Sequence, residues 1–297
     1  MLEEVYNIKE DLPDVQGEPP LIPLNVNNVC VQGLKIRLCF MSSNNRLECY
    51  IAEVSACVDL SSEFRGIHVS RSVESVLNII NDFTYGSLLD LQNNLRVTAE
   101  QLLIKHKYSS KATIKLRMSN LYRVKGDDIP ITLRVGVKLF RNGCVRYYSS
   151  LDINGMTVCP CTQQVYSFIE GVMIPNTPSH SQRVLLSVKI ISSRPIDLNL
   201  NEVIDNILPV FSTPVKSFLK KSDEYRLVKK AFENPKFAED VAREVMYRMY
   251  KLLRDGLSDD ARVIAEVISY ESIHPFNLYV KINHDMRELD KIFSRFR

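Results

Sequence analysis

Glycine is scarce in this chain, with ten residues in 297. The two closest, Gly136 and Gly143, stand seven positions apart, so neither G-x-G-x-x-G nor G-x-x-x-x-G-K occurs. That excludes the glycine turns of dinucleotide-binding and P-loop proteins. Any phosphate is therefore expected to be held by side chains or helix ends. No apolar run reaches the 18 residues of a membrane span. Met1 to Asp14 carries Glu3, Glu4, Lys9 and Glu10 without an apolar block, unlike a signal peptide. Charge of one sign is lacking too: 38 Lys and Arg oppose 35 Asp and Glu, a formal +3. That balance gives no electrostatic case for nucleic acid.

Hydrophobic residues make 45% and charged residues 25%, the composition of a globular protein able to bury a large core. The seven cysteines are odd in number and scattered. With no signal peptide, this predicts a cytoplasmic protein without disulfides, its cysteines mostly small core residues.

Pro13, Pro19, Pro20 and Pro23 make residues 1–25 an N-terminal arm without regular helix. The β-branched runs Val29–Phe40 and Arg46–Leu60 predict two strands joined at Ser42–Asn45. Helical spacing follows over Arg71–Phe83 and Leu88–His106, then strands over Thr113–Arg123 and Ile131–Phe140. The second half repeats this order. Strands are expected at Cys144–Val158 and Val184–Ile191, and a helix at Leu200–Leu208. A long helix is expected from an Asn234 cap with Pro235 at its first position to about Gly256. Strands at Arg262–Tyr270 and Leu278–Ile282 close the pattern. An α+β fold follows, with antiparallel sheets and helices on one face. Residues 26–297 form one bimodular unit, with halves about 26–142 and 143–297.

Four polar constellations lie at the edges of these elements. Cys159–Pro160–Cys161 is followed by Ser179–His180–Ser181–Gln182–Arg183, a thiol and an imidazole that suit a metal. Two core cysteines and a surface histidine read equally well from the spacing. Asp223–Glu224 precedes Glu239, which falls in the first turn of the long helix. There it is either functional or an ordinary helix-start acid paired with Arg243. Glu271 and His274 form a candidate acid/base pair or a solvated strand end. Arg65, His68 and Arg71, just before a helix, suit an anion such as a triphosphate, or make an exposed basic turn.

In this order, DLPDVQ (11–16), RGIHVSR (65–71), TVCPC (157–161), HSQR (180–183), DEYRLVKKAFENPKFAED (223–240) and ESIH (271–274) resemble the type IB GTP cyclohydrolases along nearly the whole chain. The twenty-one positions from Cys159 to His180, with an insertion through 174–178, resemble the archaeal methanopterin-pathway branch of that family, the MptA type. The resemblance implies a bimodular tunnelling fold whose barrel closes by oligomerisation. It implies a homo-oligomer, dimer or tetramer, with active sites between subunits, and GTP as substrate. Cys159, His180 and Glu224 match metal ligands. Cys161 matches a cysteine facing substrate, and Glu239 the carboxylate that holds the guanine edge. Glu271 and His274 match the catalytic pair; Arg65, His68, Arg71 and Arg183 match a substrate-binding set. The branch implies iron(II), with zinc or manganese as alternatives.

The implied products are 7,8-dihydroneopterin 2′,3′-cyclic phosphate, formate and diphosphate. The bacterial-type product, dihydroneopterin triphosphate, is the nearest rival. A nitrile reductase of the same fold would leave His180 and Glu224 without a role, and a non-catalytic purine or pterin binder would need only the Glu239 anchor.

Overall fold

The computed structural model describes residues 13–41, 47–80, 83–124 and 127–296. The turn expected at 42–45 and the first twelve residues of the arm lie outside them.

Long strands dominate, as the β-branched runs predict. β1 (Val26–Met41) and β2 (Leu47–Leu60) are followed by α1 (Val69–Ile80), the short β3 (Thr84–Tyr85) and α2 (Leu88–Lys105). β4 (Lys111–Val124), β5 (Asp127–Phe140) and β6 (Val145–Val158) come next, then α3 (Pro160–Glu170) and β7 (Ser181–Ser192). The chain continues through α4 (Leu200–Ile207), β8 (Thr213–Pro214), α5 (Lys221–Glu233) and α6 (Ala238–Leu253). It closes with β9 (Arg262–Ser269), β10 (Leu278–Asp285) and α7 (Met286–Phe293).

One sheet runs through both halves in the order β10-β9-β7-β6-β5-β4-β2-β1-β3, with β8 paired to β6. Apart from the short parallel β1–β3 pairing, every pairing is antiparallel. It does not close on itself. Side chains alternate along each strand, so one face is buried and the other is polar. Ala52, Val54, Ile114, Val137, Ile153, Leu186 and Val267 lie on the buried face. Over it pack Leu91, Leu95 and Leu102 of α2 and Val241, Val245 and Met249 of α6.

Several expectations are corrected. Cys30–Cys57 and Cys39–Cys49 are disulfides, because the β1–β2 register sets each pair directly opposite, within bonding distance. Cys144 is exposed rather than a core residue. The first helix begins at Val69 and ends at Ile80, so Phe83 lies beyond it and is exposed. The long helix starts at Ala238 with Phe237 as its cap, not at Asn234 and Pro235. Asn234 instead ends α5, a helix the apolar periodicity does not reveal. Its Nδ2 donates to the Phe211 carbonyl at 3.0 Å, fixing the turn between the two helices. α3, starting on Pro160, replaces what reads as a loop.

Candidate active site at one end of the sheet

Antiparallel alternation decides which loops meet. β6 ends, β7 begins, β9 ends and β10 begins at one edge of the sheet. The Cys159, His180, Glu271 and His274 motifs are therefore carried there together. At the β6–β7 junction the Cys159 N–H donates to the His180 carbonyl at 3.1 Å. Ser179 Oγ donates to the Cys159 carbonyl at 2.7 Å. On the neighbouring strand the Tyr270 N–H donates to the Arg183 carbonyl at 2.9 Å. This brings Ser272 Oγ to 3.4 Å from His180 Nδ1.

The end of β6 is held rigidly. A Cβ on Gly155 would lie 2.1 Å from the Phe211 ring, so only glycine lets that ring cross the strand. Ser212, next in sequence, then accepts the Val158 N–H at 3.1 Å. The Lys236 N–H donates to the Val158 carbonyl at 3.0 Å, tying the approach to α6 to the residue before Cys159.

Glu239 sits in the first turn of α6. Its neighbour Asp240 accepts the Phe237 N–H at 3.1 Å and pairs with Arg243 at 3.2 Å. The routine surface partner is thus taken by Asp240. Glu239 Oε2 is buried and has no hydrogen-bond partner. A buried carboxylate oxygen without a donor costs free energy unless a ligand satisfies it. Thr157 Oγ1, two residues before Cys159, is buried and unpartnered as well.

Gln182 escapes notice in the sequence. Two positions beyond His180, it offers Oε1 to His180 Nδ1 at 3.0 Å. An amide oxygen only accepts, so Nδ1 carries the proton and Nε2 is left as a lone-pair donor. The period of two along a strand was the available signal. Cys159, half-buried at the cap of α3, is joined to His180 through its backbone N–H. A thiol and an imidazole are donor types that suit a divalent transition metal. Glu224 is exposed in the first turn of α5. Among the described residues no three His, Cys, Asp or Glu side chains converge to metal-binding distance, so Cys159, His180 and Glu224 do not form a three-ligand set within this one chain. Cys161 is exposed. Glu271 accepts from Ser269 Oγ at 2.7 Å, and His274 stacks on Phe276 with centroids 5.0 Å apart.

Arg65, His68 and Arg71 do not join this cluster. They follow β2, whose end lies at the opposite edge of the sheet. A 14-residue strand separates the two edges, about 45 Å at the usual rise. There they hold the arm: Arg65 pairs with Glu18 at 3.2 Å and His68 Nε2 with Asp14 at 2.8 Å. The His68 hydrogen bond keeps the Asp14 carboxyl below its ordinary pKa. His68 and Arg71, with Lys105 and Lys107, line a cleft of about 800 Å³.

No helix among the described residues is long and apolar enough to cross a membrane. A family model described as type I GTP cyclohydrolase folE2 matches residues 12–280. The protein named GTP cyclohydrolase MptA from Aeropyrum pernix is 32% identical over 288 residues, covering 95% of this chain and 99% of its own. Its namesake from Methanosphaera stadtmanae is 28% identical, with 91% and 94% covered. The fold is that of a uricase from Bacillus fastidious, with a TM-score of 0.50 at 10% identity over 89% of this chain and 94% of that one. The architecture is therefore a tunnelling fold, and the chain belongs to the type I GTP cyclohydrolase folE2 family.

Proposed function

We propose that this protein is a metal-dependent GTP cyclohydrolase of the MptA type. It converts GTP and water to 7,8-dihydroneopterin 2′,3′-cyclic phosphate, formate and diphosphate. The observation that carries this reading is the buried, unpartnered Oε2 of Glu239 beside the strand end that bears Cys159. A carboxylate there accepts two parallel hydrogen bonds from guanine, at the ring N–H and the exocyclic amine. Adenine presents no such edge, so the residue selects the base.

Cys159 and His180 would hold a divalent ion, iron(II) by preference, with Glu224 from α5 completing the set. When bound, such an ion supplies Lewis acidity that brings the pKa of a water toward neutrality. Gln182 keeps the His180 ring in the tautomer that leaves Nε2 free. His274 and Glu271 hold and transfer the protons that ring opening and formate loss require. Cys161 faces the substrate from the first turn of α3.

The triphosphate requires cations, and the Arg65, His68 and Arg71 set lies at the far edge of the same chain. In this reading a second copy supplies it. The outer edge of β10 and most of that of β1 have no strand partner among the described residues, so two copies can pair edge to edge and close a barrel. Anaerobic incubation with GTP and iron(II), followed by formate and pterin analysis, tests the reaction. The expected result is formate together with a cyclic phosphate. Dihydroneopterin triphosphate would assign the bacterial-type product, and no formate in the metal-loaded protein would reject the reading.

A further inference from the structure

The helix-free face of the sheet carries a charge pattern of its own. Toward the edge at which β2 and β5 end and β6 begins lies a cleft of about 770 Å³ lined by Lys115, Arg117, Arg134, Lys138 and Lys189, with Glu53 the one carboxylate among its lining residues. Counting Asp152 and Glu266, which pair with Arg134 and Lys189 just outside the lining, five cations meet three acids, a local excess of two on one small patch. Lys189 lies nine positions along β7 from His180, about 30 Å at the strand rise, so this cleft is separate from the Cys159 site.

The register concentrates the charge. Arg117 stands directly opposite Arg134, and Lys115 opposite Gly136, with Arg134 and Lys138 on its two diagonals. Like charges facing one another across strands destabilise a sheet. Three cations are relieved by acids: Arg117 by Glu53 at 3.4 Å, Arg134 by Asp152 at 2.5 Å, and Lys189 by Glu266. Lys115 and Lys138 have no carboxylate partner among the described residues; Lys138 Nζ lies 4.8 Å from the centre of the Phe140 ring. Gly136 forms the floor between them. A Cβ there would lie 2.8 Å from the Ile114 carbonyl oxygen and 3.1 Å from Lys115 Cγ, so glycine leaves the Lys115 stem flat and the hollow open. Across the floor Tyr148 is the opposing residue.

We infer that this cleft binds a small polyphosphate anion, gripped by Lys115 and Lys138 over Gly136, with Arg117, Arg134 and Lys189 supplying the surrounding field. A concave surface lined by one sign of charge focuses potential on a multivalent anion. The interspersed Glu53, Asp152 and Glu266 oppose a long nucleic-acid backbone laid along the face, whereas a short anion fits between them. The shared chemistry is a chain of two or three phosphates, free or as the tail of a nucleotide.

The test is calorimetric titration of inorganic triphosphate, and separately of ATP, into the intact protein. It is repeated on the double variant Lys115→Gln/Lys138→Gln and on Lys115→Arg/Lys138→Arg. The expected result is one class of site weakened at least tenfold in the glutamine variant and retained in the arginine variant, with GTP turnover within twofold of the parent in both. Equal affinity for triphosphate and ATP assigns the site to the free phosphate chain, and tighter ATP binding to a nucleotide tail. Unchanged isotherms in the glutamine variant would overturn the inference. So would a parallel loss of GTP turnover, which would make the cleft part of the GTP site. Tighter binding of a single-stranded oligonucleotide, lost in the same variant, would overturn it in favour of nucleic acid.

Discussion

The two ends of the sheet make opposite use of polar residues. At the end that follows β2, most polar groups of the motif have partners within the chain: Arg65 holds Glu18, His68 holds Asp14 through Nε2 while its Nδ1 is buried without a partner, and Arg71 donates to the Lys105 carbonyl at 3.3 Å. At the other end, polar atoms await partners. Glu239 Oε2 and Thr157 Oγ1 are buried without them, and Cys161 and His274 face solvent. Unsatisfied buried groups persist in a folded protein where a ligand repays them. The comparison teaches that one end is mostly a joint within its own chain, with cations still able to serve a second copy, and the other an open site.

The largest expected effect comes from removing the thiol at the open site. Cys159→Ala should lose bound metal and all detectable formate release, whereas Cys161→Ala should retain metal and turn over slowly. Metal analysis of the two purified variants checks this, and the reverse pattern would exchange the roles of the sulfurs.

Next comes the base anchor. Glu239→Gln should lower kcat/KM for GTP by about 10³-fold or more, as expected when a site built for a substrate's hydrogen bonds loses its acceptor. Metal content and melting temperature should stay near the parent's. Normal GTP kinetics in this variant would return Glu239 to the status of a helix-start acid.

The separation of the two ends is itself testable. Mixing inactive Glu239→Gln chains with inactive Arg71→Ala chains, then dissociating and reassembling them, should restore roughly a quarter of the parent activity. That figure assumes dimers in which half are mixed and each mixed dimer has one intact site. No recovery from demonstrably mixed oligomers would confine the site to one chain.

The smallest effect concerns the joint. His106, buried between Ser72 Oγ at 3.0 Å and the Tyr108 hydroxyl at 2.8 Å, has its pKa pushed down to about 4 by burial. The ordinary value is 6.5, so the unfolded chain takes up this proton first as pH falls. Its stabilising contribution is complete above pH 6.5 and is lost progressively toward pH 4. The melting temperature should fall across that window, and His106→Gln should flatten the fall. Equal slopes in parent and variant would assign the acid sensitivity to carboxylates.

Much of the fold was legible locally. The alternation in Arg46–Leu60 and Thr113–Arg123, and the apolar stripe of Leu91, Leu95 and Leu102, follow from side-chain periodicity alone. α3 and α5 were not legible, because most of their residues are exposed or half-buried and leave no apolar stripe. The disulfides were missed because composition does not report register; opposition of Cys30 to Cys57 and of Cys39 to Cys49 is a property of pairing.

By itself, the sequence determined the α+β class, the order of strands and helices, and the residue types at the candidate site, since each is written in spacing and chemistry along the chain. Tertiary structure alone decided which of those residues meet. Strand direction reverses at every pairing through the main body of the sheet, so loops distant in sequence, at 159, 180 and 272, converge at one edge while 65–71 is sent to the other. It also decided that Asp240, rather than Glu239, takes Arg243, because neighbours on a helix point about 100° apart and only the packed helix fixes which of the two faces the site.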